Sequence, residues 1–150
     1  MTMTTIRAGA QDSGRLAPLF DGYRGFYGRA SDLEGAERFL RGVLERDDSI
    51  VLFAAAAEDG AVLGFVQLYR SFSSLRMRPT LVLNDLFVRP DARRRGIARS
   101  LVRAARTLAR EQGAATVQLE TAKSNHSARA LYVSEGYALD EEFDHYSLEP

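Results

Sequence analysis

Apolar residues recur along this chain in two rhythms. One repeats every three or four positions: Leu16, Leu19, Phe20, Tyr23 and Tyr27; then Ala36, Phe39, Leu40, Val43 and Leu44; then Ile97, Leu101, Ala104, Ala105 and Leu108; and last Ala128, Leu131 and Tyr132. That spacing places each set on one face of a helix. The other rhythm is continuous or alternating and comes in short runs: Thr4 to Ala8, Ile50 to Ala57, Ala61 to Tyr69, Leu81 to Val88 and Ala115 to Ala122. Tyr137-Ala138-Leu139 and Phe143 to Leu148 are two briefer late runs of the same kind. Such runs favour strands, most clearly where β-branched and aromatic residues gather.

Local signals punctuate these segments. Asp12 or Ser13 caps the first helix, and Ser31-x-x-Glu34 reads as a capping box opening the second, which Asp47-Asp48 ends. Glu58-Asp59-Gly60 between two apolar runs is a hairpin turn, and Arg70 to Pro79 reads as a polar loop. Gly113 closes the third helix, Ser124 or Asn125 caps the fourth, and Gly136 lies just past its end. The order β-α-α-β-β-β-α-β-α-β-β predicts one mixed α/β domain over residues 1–150. About six to seven strands and four covering helices are expected.

Composition narrows the function classes. The chain of 150 residues carries no net charge, so nothing pulls it as a whole toward nucleic acid or an anionic membrane. Its arginines nevertheless cluster between Arg89 and Arg110. A nucleic-acid module would need many of them to track phosphates, and it lacks any recognised motif for doing so. The absence of cysteine removes disulfides, a thiol nucleophile and a thiolate metal site. His126 and His145 are not spaced as a ligand pair, so no metal is expected. Met1-Thr2-Met3-Thr4-Thr5 has no basic or apolar signal character, and no run is long enough to span a bilayer. A cytoplasmic protein with no nucleic-acid or membrane partner is the expectation.

The candidate chemistry lies in Leu81 to Ala98, LVLNDLFVRPDARRRGIA. Asn84 and Asp85 interrupt an apolar strand, and a buried carboxylate is costly unless something there needs it. Pro90 ends the ladder, and Arg93-Arg94-Arg95-Gly96-Ile97-Ala98 leads into a helix. A helix N-terminus offers unpaired N–H groups and the positive end of the macrodipole, and Gly96 clears the backbone for a close anion. Arg93-x-x-Gly96-x-Ala98 resembles the pyrophosphate loop of the GNAT N-acetyltransferase superfamily, Arg/Gln-x-x-Gly-x-Gly/Ala. The order of elements over essentially the whole chain resembles that family too. The resemblance implies a mostly antiparallel sheet that splays at its central strands. It also implies that Leu86, Phe87 and Val88 present backbone groups to acetyl-CoA, used as co-substrate.

Asn125-x-x-Ala128-x-x-Leu131-Tyr132-x-x-x-Gly136-Tyr137 resembles the second GNAT signature. There the resemblance assigns Asn125 to the pantetheine arm and makes Tyr132 the acid that protonates the leaving thiolate. Acetyl transfer to an ammonium also needs a base. Related polyamine acetyltransferases carry adjacent acidic residues on the central strand, where this chain has Asn84 and then Asp85. Alternation would place those two on opposite faces. Asp85, Glu120 and a water held by Asn84 or a backbone carbonyl are the candidate bases. The Tyr23-Arg24-x-Phe26-Tyr27 cluster, the Ser71-Phe72-Ser73-Ser74 loop and the Asn84 to Val88 segment resemble a narrower fungal histone and polyamine acetyltransferase-like branch, which has bacterial members. This implies a small free amine as acceptor, met by Tyr23, Tyr27, Phe72 and Asn84. Two other readings stay open: acetylation of a protein lysine, and a non-catalytic acyl-CoA sensor. The late strands offer edges able to pair two protomers as a homodimer.

Overall fold

A computed structural model describes residues 2–150, in two compact units divided in sequence between Glu120 and Thr121. The first holds a five-stranded sheet in sequence order, β1 (Met3–Arg7), β2 (Ser49–Ala56), β3 (Val62–Ser73), β4 (Arg78–Val88) and β5 (Val117–Gln118). The first four strands pair antiparallel and β5 joins β4 in parallel. Helices α1 (Ser13–Phe26) and α2 (Leu33–Glu45) cover one face. Their residues Leu16, Leu19, Phe20, Ala36 and Leu40 form one core with Val51, Phe53, Ala55, Phe65 and Phe87. Every second strand residue points to that face. Burying a side chain such as Phe65 stabilises the fold by roughly 1.5–3 kcal/mol.

The opposite face carries α3 (Ile97–Glu111), whose Ile97 touches the sheet at Gly64. A Cβ on Gly64 would stand 3.0 Å from the Phe87 carbonyl oxygen and 3.2 Å from Ile97 Cγ2. The missing side chain therefore lets α3 begin directly against β3 and β4, which fixes where its N-terminus sits. The second unit, from Thr121, contains α4 (His126–Ser134). No helix among the described residues is long and apolar enough to cross a membrane.

Four expectations change. The sheet has five strands, because residues 137–139 and 143–148 form no ladder and expose Leu139, Phe143, Tyr146 and Leu148. Alternation over so few residues, broken by acidic neighbours, supplies no pairing partner of its own. The strand expected from Ala115 to Ala122 narrows to Val117–Gln118, where β5 leaves β4. The expected polar loop from Arg70 to Pro79 is mostly hairpin: Arg70 pairs with Leu81 and Ser73 with Arg78. Its serines suit an arm wetted on both faces, which shows no hydrophobic period. At α2 the cap is Asp32, which accepts from Gly35 N–H, while Ser31 Oγ donates to Asp21 instead.

Candidate active site

The central feature is an interruption in β4. Gln67 pairs with Asp85 and Leu68 with Leu83, so Asn84 is the extra residue of a β-bulge. Strict alternation would set Asn84 and Asp85 apart. The bulge instead lets Asn84 Nδ2 donate to Asp85 Oδ1 at 3.0 Å, with Asn84 exposed and Asp85 buried. The other carboxylate oxygen, Oδ2, accepts from Gln67 Nε2 at 2.5 Å, and Gln67 Oε1 accepts from Ser49 Oγ at 2.8 Å. Ser49, Gln67 and Asp85 thus form a buried polar row across β2, β3 and β4, on the face that α1 and α2 cover. Burial, and then the nearby Asp85 charge, push the Tyr69 phenol above its ordinary range.

Beside the bulge the sheet opens. The β4–β5 pairing covers only Leu81 with Val117 and Val82 with Gln118. Beyond Val82 the strand toward Leu86, Phe87 and Val88 has no β5 partner among the described residues, which is the central splay. At the end of β4 the chain turns through Pro90–Ala92 into the arginine loop. Arg94 and Gly96 are left-handed, with φ of 62° and 79°. The α3 ladder starts with Ser100 N–H to the Gly96 carbonyl. The N–H groups of Ile97, Ala98 and Arg99 therefore have no acceptor within the helix. A Cβ on Gly96 would meet no atom within 4 Å, so the space over the loop is open. Left-handed glycine, open space, helix N-terminus and neighbouring arginines suit a diphosphate.

Arg93 departs from a simple outward-facing arginine. Its Nε donates to the Val88 carbonyl at 3.0 Å, and its guanidinium stands over Phe87 at 5.2 Å and Phe26 at 6.0 Å. Its side chain ties the loop to the end of β4, leaving its backbone and the exposed Arg94 and Arg95 on the loop itself. The Asp91 carboxyl just upstream is held below its usual range, chiefly by the Arg89 hydrogen bond.

Aromatic rings gather beside this end of β4. Tyr23 meets Tyr27, Phe65 and Phe87 edge-on, with centroids 5.2 to 6.0 Å apart, and Phe26 contacts both Tyr27 and Phe87. Gly22 leaves room for this, since a Cβ there would already touch Phe87 Cε2 at 3.5 Å. Tyr23 and Tyr27 are therefore joined with Phe87. Phe72 is not: it is exposed on the hairpin arm, seven residues and ~23 Å along β3 from Phe65. Asn84 lies at the bulge, two strand positions from Leu86.

Glu120 is exposed and lies beyond β5. In the second unit, Asn125 caps α4 by accepting from Ala128 N–H at 3.2 Å, and Tyr132 is buried with its ring 5.6 Å from that of Tyr137. Sequence reasoning missed Ser49 and Gln67. The signal for Gln67 was present, as a lone amide within the apolar run of β3, but only the register reveals what it faces.

Comparison with known proteins agrees with this geometry. The acetyltransferase (GNAT) family pattern matches residues 16–137. An uncharacterised N-acetyltransferase of Bacillus subtilis, YhfO, is 45% identical over 146 residues, covering 97% of each chain. The D-amino-acid N-acetyltransferase HPA3 of Saccharomyces cerevisiae is more distant, 31% identical over 97 residues, which cover 63% of this chain and 60% of the yeast protein. The crystal structure of a probable acetyltransferase superposes with a TM-score of 0.94 at 39% identity, over 98% of this chain and 97% of that one. The family generally uses acyl-CoA as donor. With its splayed sheet, left-handed glycine loop and matched sequence, this chain belongs to the GNAT family of N-acetyltransferases.

Proposed function

We propose that the protein transfers acetyl from acetyl-CoA directly to the primary amine of a small molecule within a ternary complex. The observation that carries this reading is the opening of β4 from β5 between the Arg93–Ala98 loop and the Asn84 bulge. In it, the backbone of Arg93 to Ala98 holds the diphosphate, and the open edge at Leu86, Phe87 and Val88 holds the pantetheine arm; the family resemblance gives Asn125 a part in holding that arm. Bound acetyl-CoA supplies an acetyl thioester. An acceptor ammonium gives one proton to Asp85, and its nitrogen lone pair then forms the C–N bond as the C–S bond breaks. The family resemblance makes Tyr132 the group that protonates the sulfur and takes up the second proton shed by nitrogen, so one proton is released overall. Asp85 is preferred to Glu120 because it stands at the bulge, on the face that carries Tyr23, Phe26 and Tyr27. Those rings suit a small cationic or amino-acid acceptor, and the yeast relative, a D-amino-acid N-acetyltransferase, points the same way.

The test is acetyl-CoA consumption with a panel of D- and L-amino acids, polyamines and basic peptides. Turnover with a free amine and none with peptide supports this reading, whereas peptide-only turnover makes a protein lysine the substrate. Tight acetyl-CoA binding with no turnover on any amine makes the protein a sensor.

A further inference from the structure

The row Ser49–Gln67–Asp85 has a built-in direction. A side-chain amide has one accepting end and one donating end, and a hydroxyl that donates to the oxygen leaves the nitrogen to face the other way. Ser49 Oγ donates to Gln67 Oε1, so Gln67 Nε2 is turned to Asp85 Oδ2. The second Asp85 oxygen is then left with Asn84, the exposed bulge residue at the open edge of β4. All three members of the row are buried, where a polar group without a partner is expensive. Apolar residues would fill the same interior at lower cost, so the row implies a task. Its register also matters, because Gln67 sits opposite Asp85 only by virtue of the bulge at Asn84.

We propose that Ser49 and Gln67 are positioning residues that hold the Asp85 carboxylate with one oxygen pinned inside the sheet and the other turned to Asn84, ready for the acceptor's proton. This rests on the reading of Asp85 as the base. Ser49 acts two strands away by fixing the amide, and Gln67 acts by direct hydrogen bonding. Neither touches the reacting atoms.

Two measurements on the full chain test it. The first needs no turnover: NMR of the Gln67 side-chain amide. In the wild type its protons should be protected from exchange, with one shifted downfield by the carboxylate. Asp85→Asn and Ser49→Ala should each remove that signature, and Ser49→Thr should restore it. An amide signal indifferent to both substitutions overturns the proposal. The second is kinetic, on the most active amine of the panel. Gln67→Leu should lower kcat by ~10²-fold, the scale of a misplaced catalytic group. Ser49→Ala should lower it by a smaller factor, Ser49→Thr should rescue it, and KM for acetyl-CoA should hold. In an Asp85→Asn background, Gln67→Leu should add almost nothing, since the two act as one unit. If Gln67→Leu does not fold, the Ser49 pair carries the test. Asp85→Asn at wild-type kcat overturns the base reading itself. A large loss in Asp85→Asn, with Ser49→Ala and Gln67→Leu at wild-type kcat, overturns the positioning proposal alone.

Discussion

Replacing Gly96 by alanine separates backbone strain from ligand binding, because the chain contains its own control. Gly96 has φ of 79° and Gly113, just past the end of α3, has φ of 68°; at neither would a Cβ meet an atom within 4 Å. Alanine in that left-handed region costs about 1–2 kcal/mol at either position. For a chain of this length each kcal/mol lowers Tm by about 2–4 °C, so both variants should melt about 2–8 °C below wild type. Only Gly96 adjoins the first-turn N–H groups of α3, which have no acceptor within the helix. A methyl there occupies the open space over the loop and pushes a diphosphate off the backbone. A hydrogen bond to a charged group contributes about 1.5–3 kcal/mol. Losing one should weaken acetyl-CoA binding by about 10- to 100-fold. Titration calorimetry with acetyl-CoA, beside thermal melts, reads both quantities. Gly113→Ala should match Gly96→Ala in Tm and the wild type in affinity. Equal losses of affinity in the two variants, or none in Gly96→Ala, would refute the assignment of the loop.

Deleting Asn84 should regularise β4: hydrogen exchange should slow at Leu86 to Val88 while acetyl-CoA affinity falls, and unchanged exchange would show that the bulge does not hold the sheet open. Gly64→Ala forces its Cβ against the Phe87 carbonyl and Ile97, which should destabilise the protein by about 1–3 kcal/mol; an unchanged melting curve would contradict the tight seating of α3. The raised Tyr69 phenol contributes stability that is complete below pH 10.0, its ordinary value, and is lost as pH rises through the higher folded value. In Asp85→Asn a tyrosine-selective NMR titration should find that phenol ionising at lower pH. Tyr132→Phe should lower kcat by about 10²-fold at constant acetyl-CoA affinity, as for a group acting mainly in the transition state; equal kcat would leave Tyr132 a packing residue.

Much of the first unit was legible in the residue pattern, for physical reasons. Helices α1, α2 and α3 bury most of the stripes their spacing marks, including Leu16, Leu40 and Leu101, although Phe39 and Tyr27 stay exposed. The arginine loop was legible because glycine, helix start and charge are local properties. What escaped depends on partners distant in sequence. The Arg70 to Pro79 hairpin has no apolar face to betray it. The late runs around Tyr137 and Phe143 look like strands by composition yet form no ladder. The inward turn of Arg93 has no local signal, because the rings of Phe26 and Phe87 that draw its guanidinium back come from two different elements.

The bulge at Asn84 shows why the site was harder to read than the fold. Removing one residue from LVLNDLFV leaves Leu81 and Leu83 on the α3 face, and Asp85 and Phe87 on the other, in unbroken alternation. The hydrophobic pattern is therefore satisfied with or without the extra residue, and burial alone cannot reveal it. What the extra residue changes is polar and geometric. It lets the side chains of Asn84 and Asp85 meet where a regular strand would hold them on opposite faces. It also adds local twist just beyond Val82, the last β4 residue that β5 pairs with. The same insertion thus coincides with the stretch of β4 that β5 leaves unpaired and with the meeting of Asn84 and Asp85. The proposed transfer uses both at one place, and a single residue that the core does not require accompanies them both.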